Sequence, residues 1–163
     1  MVPSHSSLPI ACVAICLVLL SASQAAAQQS WQSSPFPDES GSAVMGCSDS
    51  TNDEAWSCLA VRCGPEGLAL YAELTNLTLD DAFTLVIGGQ RFAVSGRSRE
   101  ESAPYSNRLD GDVPAIVAAM KGAETVVIDR PQYPLNPGFD TIPLRGAAEA
   151  IGALEAQCAA SGL

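Results

Sequence analysis

The chain has 163 residues, with 18 acidic and 8 basic side chains, and its formal net charge at pH 7 is −10. Nucleic acids and anionic membrane surfaces require clustered cations, so neither is expected as a partner of so acidic a chain. The one histidine, His5, lies in an N-terminal segment that we expect to be removed. Catalysis by histidine-activated nucleophiles and histidine ligation of metals are then excluded.

Residues 1–27 have the pattern of a secretory signal peptide. An apolar and small-residue run from Leu8 to Leu20 precedes a small-residue cleavage site of three alanines that ends at Ala27. The run has about 13 residues, whereas a membrane-spanning helix needs roughly 20. We therefore favour a cleaved leader over an N-terminal membrane anchor. The exported chain is expected to start near Gln28 and to have no stable membrane insertion.

Residues 28–42 are rich in Ser, Pro and Gln, which predicts a flexible linker. Trp31 and Phe36 within this linker are aromatic side chains that could dock on the domain. Residues 43–163 are expected to form one globular domain, which is long enough to bury its own core. Four aromatic side chains are expected to be partly exposed: Trp31, Trp56, Tyr105 and Tyr133.

Four cysteines follow the leader, and an even number in an exported domain predicts two disulfides. A four-thiolate zinc site needs close pairs of cysteines, which these spacings do not supply, and a Cys-x4-Cys redox pair is the other alternative. Cys63 shares a predicted strand face with apolar residues, and Cys158 lies on the apolar stripe of a predicted helix, whereas Cys58 points to the opposite side of the strand. Of three open pairings we favour Cys63–Cys158 with Cys47–Cys58.

Alternation of apolar and polar residues with period two predicts two hairpins. The strands of the first contain Leu59–Cys63 and Leu68–Leu74. The strands of the second contain Phe83–Ile87 and Phe92–Val94, joined by Gly88-Gly89, which suits a two-residue turn. Further strands are expected at Ala103–Leu109, Thr125–Asp129 and Phe139–Leu144.

Two helices are predicted late in the chain. The first has Asp112 as its N-cap, Pro114 in its first turn and Gly122 at its end, with apolar residues at Val113, Ile116, Val117 and Met120. The second carries a stripe of four small or apolar residues at Ala147, Ile151, Leu154 and Cys158. The fold class is therefore mainly β with two late helices (α+β), an antiparallel β-sandwich decorated by helices.

Catalytic, cofactor-binding and metal-binding residues are not assigned, and we expect no cofactor. The segment Asp49–Glu54 resembles an oxygen-rich calcium loop but lacks the glycine and the closing glutamate of an EF-hand, so a solvated loop is the alternative. Acidic pairs such as Glu100-Glu101 are adjacent in sequence, which is typical of solvated or capping groups rather than of a catalytic dyad. Lys121 is interpreted as a cation at a helix C-terminus.

The Pro-rich segment Arg130–Gly138 predicts a stiff, projecting loop. Arg and aromatic side chains on such a loop suit protein recognition, which makes Arg130, Tyr133 and Leu135 candidate binding residues. A long connection between strands with incidental aromatic residues is the alternative.

The C-terminal half resembles the bacterial invasion-associated locus B family in three successive segments. These are a short helix with a basic-glycine end in Leu109–Ala123, the strand Thr125–Ile128, and an apolar strand that leads into Leu-x-Gly and an Ala-rich helix in Phe139–Ile151. Exported proteins near type VI secretion systems show a similar ending. The resemblance covers roughly residues 108–158. It implies a small periplasmic or secreted β-sandwich protein of a Gram-negative bacterium without established enzymatic activity, and no functional residue is carried over.

The sequence is compatible with two functions. The first is a non-enzymatic envelope domain that binds another envelope protein, and the second is a carboxylate-based hydrolase or a carrier of a small ligand. A concave pocket with two acidic side chains from separate elements would favour the hydrolase. A flat surface with exposed aromatic residues would favour the binding domain.

Overall fold

The computed structural model describes residues 31–35, 42–49, 57–64, 66–74, 82–96, 107–131 and 138–162. These residues form nine strands and two helices. The strands are β1 Gln32–Pro35, β2 Ser42–Cys47, β3 Ser57–Gly64, β4 Gly67–Leu74, β5 Ala82–Ile87, β6 Gln90–Gly96, β7 Asn107–Asp110, β8 Thr125–Asp129 and β9 Thr141–Pro143. The helices are α1 Val113–Gly122 and α2 Ala147–Ala160. The predicted leader lies outside the described residues.

All strands belong to one sheet in the order β1-β2-β3-β4-β7-β6-β5-β8-β9, and each neighbouring pair is antiparallel. The predicted fold class, mainly antiparallel β with two late helices, is confirmed. The two predicted hairpins are β3–β4 and β5–β6, and the second turns at Gly88 and Gly89, both with positive φ. The predicted strand before α1 is described only from Asn107 onward.

The sheet curls until its two ends meet, so it is nearly closed. Strands β2 and β9, which are far apart in the sheet order, lie in contact. Trp31, directly before β1, joins the ends through two hydrogen bonds. Its backbone N–H donates to the carbonyl of Arg145 at 3.4 Å, and its indole Nε1–H donates to the carbonyl of Pro143 at 3.0 Å.

The linker prediction is wrong for residues 31–35. These residues pair with β2 as an outer strand, and Trp31 is only 4% exposed, contrary to the expectation of a partly exposed side chain. The sequence Gln-Ser-Ser-Pro of β1 has no apolar residue that could signal a strand. Burial of the preceding indole, a large apolar group, compensates for the entropy cost of ordering this short polar segment.

The inner face of the curled sheet forms the core together with both helices. Leu59 and Val61 on β3 share this face with Leu70 on β4, and none of the three is exposed. The helices cover the core with the stripes that the sequence predicts: Ile116, Val117 and Met120 from α1, and Ala147, Ile151, Leu154 and Cys158 from α2. Within the described ranges, no helix is long and apolar enough to cross a membrane.

The helix boundaries follow the predicted caps. The carboxylate of Asp112 accepts a hydrogen bond from the backbone N–H of Ala115 at 3.2 Å, and Pro114 occupies the first turn of α1. Helix α2 begins after Gly146, which has a φ of 82° and supplies no side-chain cap. Contacts with the core and a disulfide therefore fix the position of α2.

The two disulfides join Cys47 to Cys58 and Cys63 to Cys158, the pairing that the strand faces predict. The first bond links residues that lie directly opposite each other in the β2–β3 ladder. The second bond fastens α2 to the inner face of β3. Two disulfides in one small domain fit an oxidising compartment.

Candidate functional site: a cleft beside α1

A cleft of about 450 Å³ lies between α1, the β3–β4 turn, β7 and α2. We call it the α1 cleft. The cleft lies beside the end of β7 at Asp110; within the described residues, β4 pairs with β7 over Leu70–Ala72, and β6 pairs with it at Ser95 and Gly96. Both neighbours continue past the end of β7, so the sheet opens there. Helix α1 follows β7 after two residues and packs into the opening.

One wall of the α1 cleft is apolar. Val117 is buried at 3% exposure, and Val113 and Leu68 are half-buried. Pro114 and Ala118 are exposed at the rim. Val113 belongs to the apolar stripe of α1; it packs against the edge of the core and also lines the cleft. The cleft therefore presents aliphatic surface to solvent along one side of a helix.

Four charged side chains line the same cleft: Glu66, Arg108, Lys121 and Glu155. The Nζ of Lys121 donates to both carboxylate oxygens of Glu155, at 3.1 and 2.9 Å. Arg108 is half-buried on β7, and its guanidinium makes no hydrogen bond or ion pair with the side chain of any other described residue. Arg108 thus places a guanidinium beside an apolar wall, without a direct ion pair to any described carboxylate.

A disulfide and an ion pair connect the elements around the α1 cleft. Cys63 lies opposite Leu68 in the β3–β4 ladder, and its disulfide holds Cys158, one turn of α2 beyond Glu155. The Lys121–Glu155 pair then connects α2 to α1. Because these links limit movement of the surrounding elements, binding of a ligand would require little rearrangement of the protein, which lowers the entropy cost of binding.

A second, shallower groove of about 390 Å³ lies on the outer face of β5 and β8. Val86 and Val127 form its floor. Arg91 donates from Nη2 to Oδ2 of Asp129 at 2.6 Å, and the two side chains are 61% and 37% exposed. Asp140 also lines this groove and accepts a hydrogen bond from the hydroxyl of Thr141 at 3.1 Å. The exposed cation of this groove, Arg91, is thus already paired within the protein.

The predicted binding loop is only partly described. Arg130 is 5% exposed and therefore offers little surface to a partner, contrary to the expectation of a projecting side chain. Tyr133 and Leu135 lie outside the described residues, as do Trp56 and Tyr105. A recognition role of this loop stays a prediction that rests on the residues after Pro131.

The calcium-like segment is described only at Asp49, which is exposed. In the part of the chain that the structure describes, no three His, Cys, Asp or Glu residues come together as a group that could hold a metal ion. Lys121 lies in the last turn of α1 as expected, and its partner Glu155 on α2 is an additional contact. Arg108 and Glu66 were not candidates, because the β3–β4 turn and α2 are distant in sequence from β7 and α1.

Comparison of the chain with models of known protein families, with curated proteins and with solved structures finds no match.

Proposed function

We propose that this chain is an exported, non-enzymatic domain of the Gram-negative cell envelope that binds another protein through the α1 cleft. The leader pattern of residues 1–27, the two disulfides and the resemblance of residues 108–158 to the invasion-associated locus B family support export and an envelope role. The observation that carries the binding role is Arg108 beside the apolar wall of the α1 cleft.

Arginine and buried apolar side chains are the groups that dominate binding energy at protein interfaces. In the α1 cleft, a guanidinium without a described counter-ion lies near Val113 and Leu68. In the β5–β8 groove, by contrast, Arg91 already donates to Asp129. The exposed guanidinium of that groove is thus already paired, whereas the α1 cleft offers the guanidinium of Arg108 without an ion pair to a described residue, so the α1 cleft is the better binding surface.

One observation favours the hydrolase alternative. Glu66 and Glu155 come from separate elements and line the same concave cleft, which is the arrangement a carboxylate mechanism needs. However, both carboxylate oxygens of Glu155 accept hydrogen bonds from Lys121. Glu66 is exposed, whereas a catalytic acid is usually enclosed by apolar groups that raise its pKa. A hydrolase would lose turnover of a glycoside panel in both Glu66→Gln and Glu155→Gln, whereas a binding domain turns over none.

Site-specific photocrosslinking tests the binding role. A photoreactive phenylalanine derivative replaces Ala118, which is exposed at the rim of the α1 cleft, and in a matched control replaces Ala93, which is exposed on β6. In the envelope of the native cell, we expect one discrete adduct at residue 118, and we expect Arg108→Gln to remove it. Equal adducts at both positions, or an adduct that persists in Arg108→Gln, would contradict binding through this cleft.

Export is tested separately by the intact mass of the protein from the periplasmic fraction. We expect a chain that starts near Gln28 with all four remaining thiols oxidised. Retention of the leader, or alkylation of the unreduced native protein, would contradict the proposed export and oxidation.

A further inference from the structure

We infer that the α1 cleft receives the C-terminal end of a partner polypeptide whose last side chain is apolar. The inference rests on the proposed function and specifies its ligand. Two features of the cleft carry it: a half-buried guanidinium and an aliphatic wall, both within one open depression of about 450 Å³.

The guanidinium indicates a carboxylate. Arg91 and Lys121 are engaged in ion pairs with Asp129 and Glu155, and Arg62 and Arg130 are buried. Arg108 is the cation that combines a position in a cleft with the lack of a carboxylate partner among the described residues. A guanidinium presents paired N–H donors that match the two oxygens of a carboxylate, which gives strong, directional recognition.

The negative net charge of the protein limits which anionic groups can bind near Arg108. With a net charge of −10, the protein repels anions at long range, so an anionic group is recognised only where a cation lies at contact distance. Repulsion of this kind disfavours strongly acidic partners. A single terminal carboxylate on an otherwise uncharged segment fits better than an acidic peptide does.

The apolar wall specifies the group next to that carboxylate. Leu68 and Val113 are half-buried, and Val117 forms the buried floor between them. Burying an aliphatic side chain against such a wall is favourable because apolar surface is removed from water. An aliphatic or aromatic last residue would use this wall, while a charged one would lose its hydration there.

The open rim favours a polypeptide over a free small acid. Small-molecule sites enclose 70–90% or so of their ligand, whereas Pro114, Ala118 and Lys121 leave one side of the α1 cleft exposed. A chain end can enter and its preceding residues can continue into solvent. At the rim, Glu66 offers carboxylate oxygens that can accept hydrogen bonds from the backbone amides of such a segment.

Fluorescence anisotropy with labelled hexapeptides tests the inference. The probe set has a common Gly-Ser-Gly-Ala-Ala body and ends in Leu, Val, Phe, Asp or Lys, each with a free carboxylate and as the C-terminal amide. We expect the free acids with apolar ends to bind most tightly. Amidation and Arg108→Gln should each weaken binding by about tenfold or more, as expected for loss of a hydrogen bond to a charged group.

Two further variants make the result specific. Arg91→Gln, which removes a guanidinium from the other groove, should leave the affinity unchanged, and Val113→Ser should remove the preference for apolar ends. Cooperative melting above the assay temperature shows that each variant is folded. Arg91 is exposed, so we expect little loss of stability in Arg91→Gln, whereas Val113 packs against the core, so Val113→Ser should have a lower melting temperature.

Each contrary result has its own meaning. Equal binding of acids and amides, or no binding of any hexapeptide, overturns the inference; if the crosslink at residue 118 is still lost in Arg108→Gln, the proposed function survives that failure. Binding of N-acetylleucine as tight as that of the hexapeptides overturns the polypeptide assignment in favour of a small-ligand carrier.

Discussion

Gly46 determines how closely Trp31 approaches the sheet. A Cβ atom at residue 46 would overlap the indole ring, including its Nε1 atom, and that Nε1–H is the group that donates to the carbonyl of Pro143. The lack of a side chain at one position on β2 thus allows the hydrogen bond that joins the two ends of the curled sheet. A tryptophan is buried at the closure because a glycine faces it.

Gly46→Ala is therefore expected to destabilise the protein by about 1–3 kcal/mol, the usual cost of overpacking a filled site. Gly152→Ala is the matched control. Gly152 lies inside α2 with nothing within 4 Å of the added Cβ, so alanine there should stabilise by roughly 0.5–1 kcal/mol. Chemical denaturation measures both changes. A neutral Gly46→Ala would show that Trp31 is not packed against β2.

The N-cap of α1 was predictable because its signals are local. Asp112, Pro114 and Gly122 lie within a few residues of the helix that they delimit, and the structure places each as expected. Trp31 and Arg108 were not predictable in the same way. Burial of Trp31 depends on β2 and β9, which are distant in sequence from each other. The surroundings of Arg108 include the β3–β4 turn and α2, which are distant in sequence from Arg108.

Among the secondary-structure elements, those with clear periodicity were predicted, whereas β1 and β2, the two strands at one end of the sheet, were not. Strands β3 to β6 alternate over several residues, and both helices carry apolar stripes. Strand β1 has no apolar residue, and β2 combines Val44 with Gly46 on its inner face, which is too weak a pattern to predict a strand. Long-range pairing and the Trp31 contact, rather than local sequence, define this edge of the sheet.

The two disulfides are expected to differ in their contribution to stability. Cys63–Cys158 closes a loop with a sequence separation of 95, and Cys47–Cys58 closes one with a separation of 11. In the chain-entropy model, the longer loop contributes about 4–5 kcal/mol and the shorter one about 3 kcal/mol or less. The double variant Cys63→Ala/Cys158→Ala should therefore lower the melting temperature more than Cys47→Ala/Cys58→Ala.

The element that the longer bond holds adds a second readout. Besides Cys63–Cys158, α2 is connected to α1 by the Lys121–Glu155 pair, whose side chains are 36% and 41% exposed and which contributes at most about 1 kcal/mol. Without the disulfide, hydrogen exchange of the α2 amides should rise more than that of β5 and β6. The reverse order of melting temperatures would show that α2 is fixed by its core contacts alone.

At the scale of the whole molecule, the fold class could be predicted and the α1 cleft could not. Strand alternation and helix stripes specify mainly β structure with two late helices, which is what the structure has. The cleft combines residues of the β3–β4 turn, β7, α1 and α2, so it depends on tertiary packing rather than on composition. The one local hint was Val113, an apolar residue at the solvent-side margin of the α1 stripe.

The closure of the sheet gives the last prediction, which concerns where the fold begins. Composition places the start of the domain at residue 43, but the structure includes Trp31 and β1 in the fold. A protein that starts at Ala43 lacks the indole that packs on Gly46 and leaves the outer edge of β2 unpaired. Replacing a buried tryptophan with a small residue typically costs about 3–5 kcal/mol, a large part of the roughly 5–15 kcal/mol available to a domain.

We therefore expect the protein that starts at Gln28 to unfold cooperatively, and the one that starts at Ala43 to melt at a much lower temperature and to self-associate through its exposed strand edge. Trp31→Ala in the longer protein separates the two causes, since it removes the indole but keeps β1. Calorimetry and light scattering measure the outcome. If the shorter protein were as stable as the longer one, the sheet would close without Trp31 and β1. The domain would then begin at residue 43, as its composition predicts.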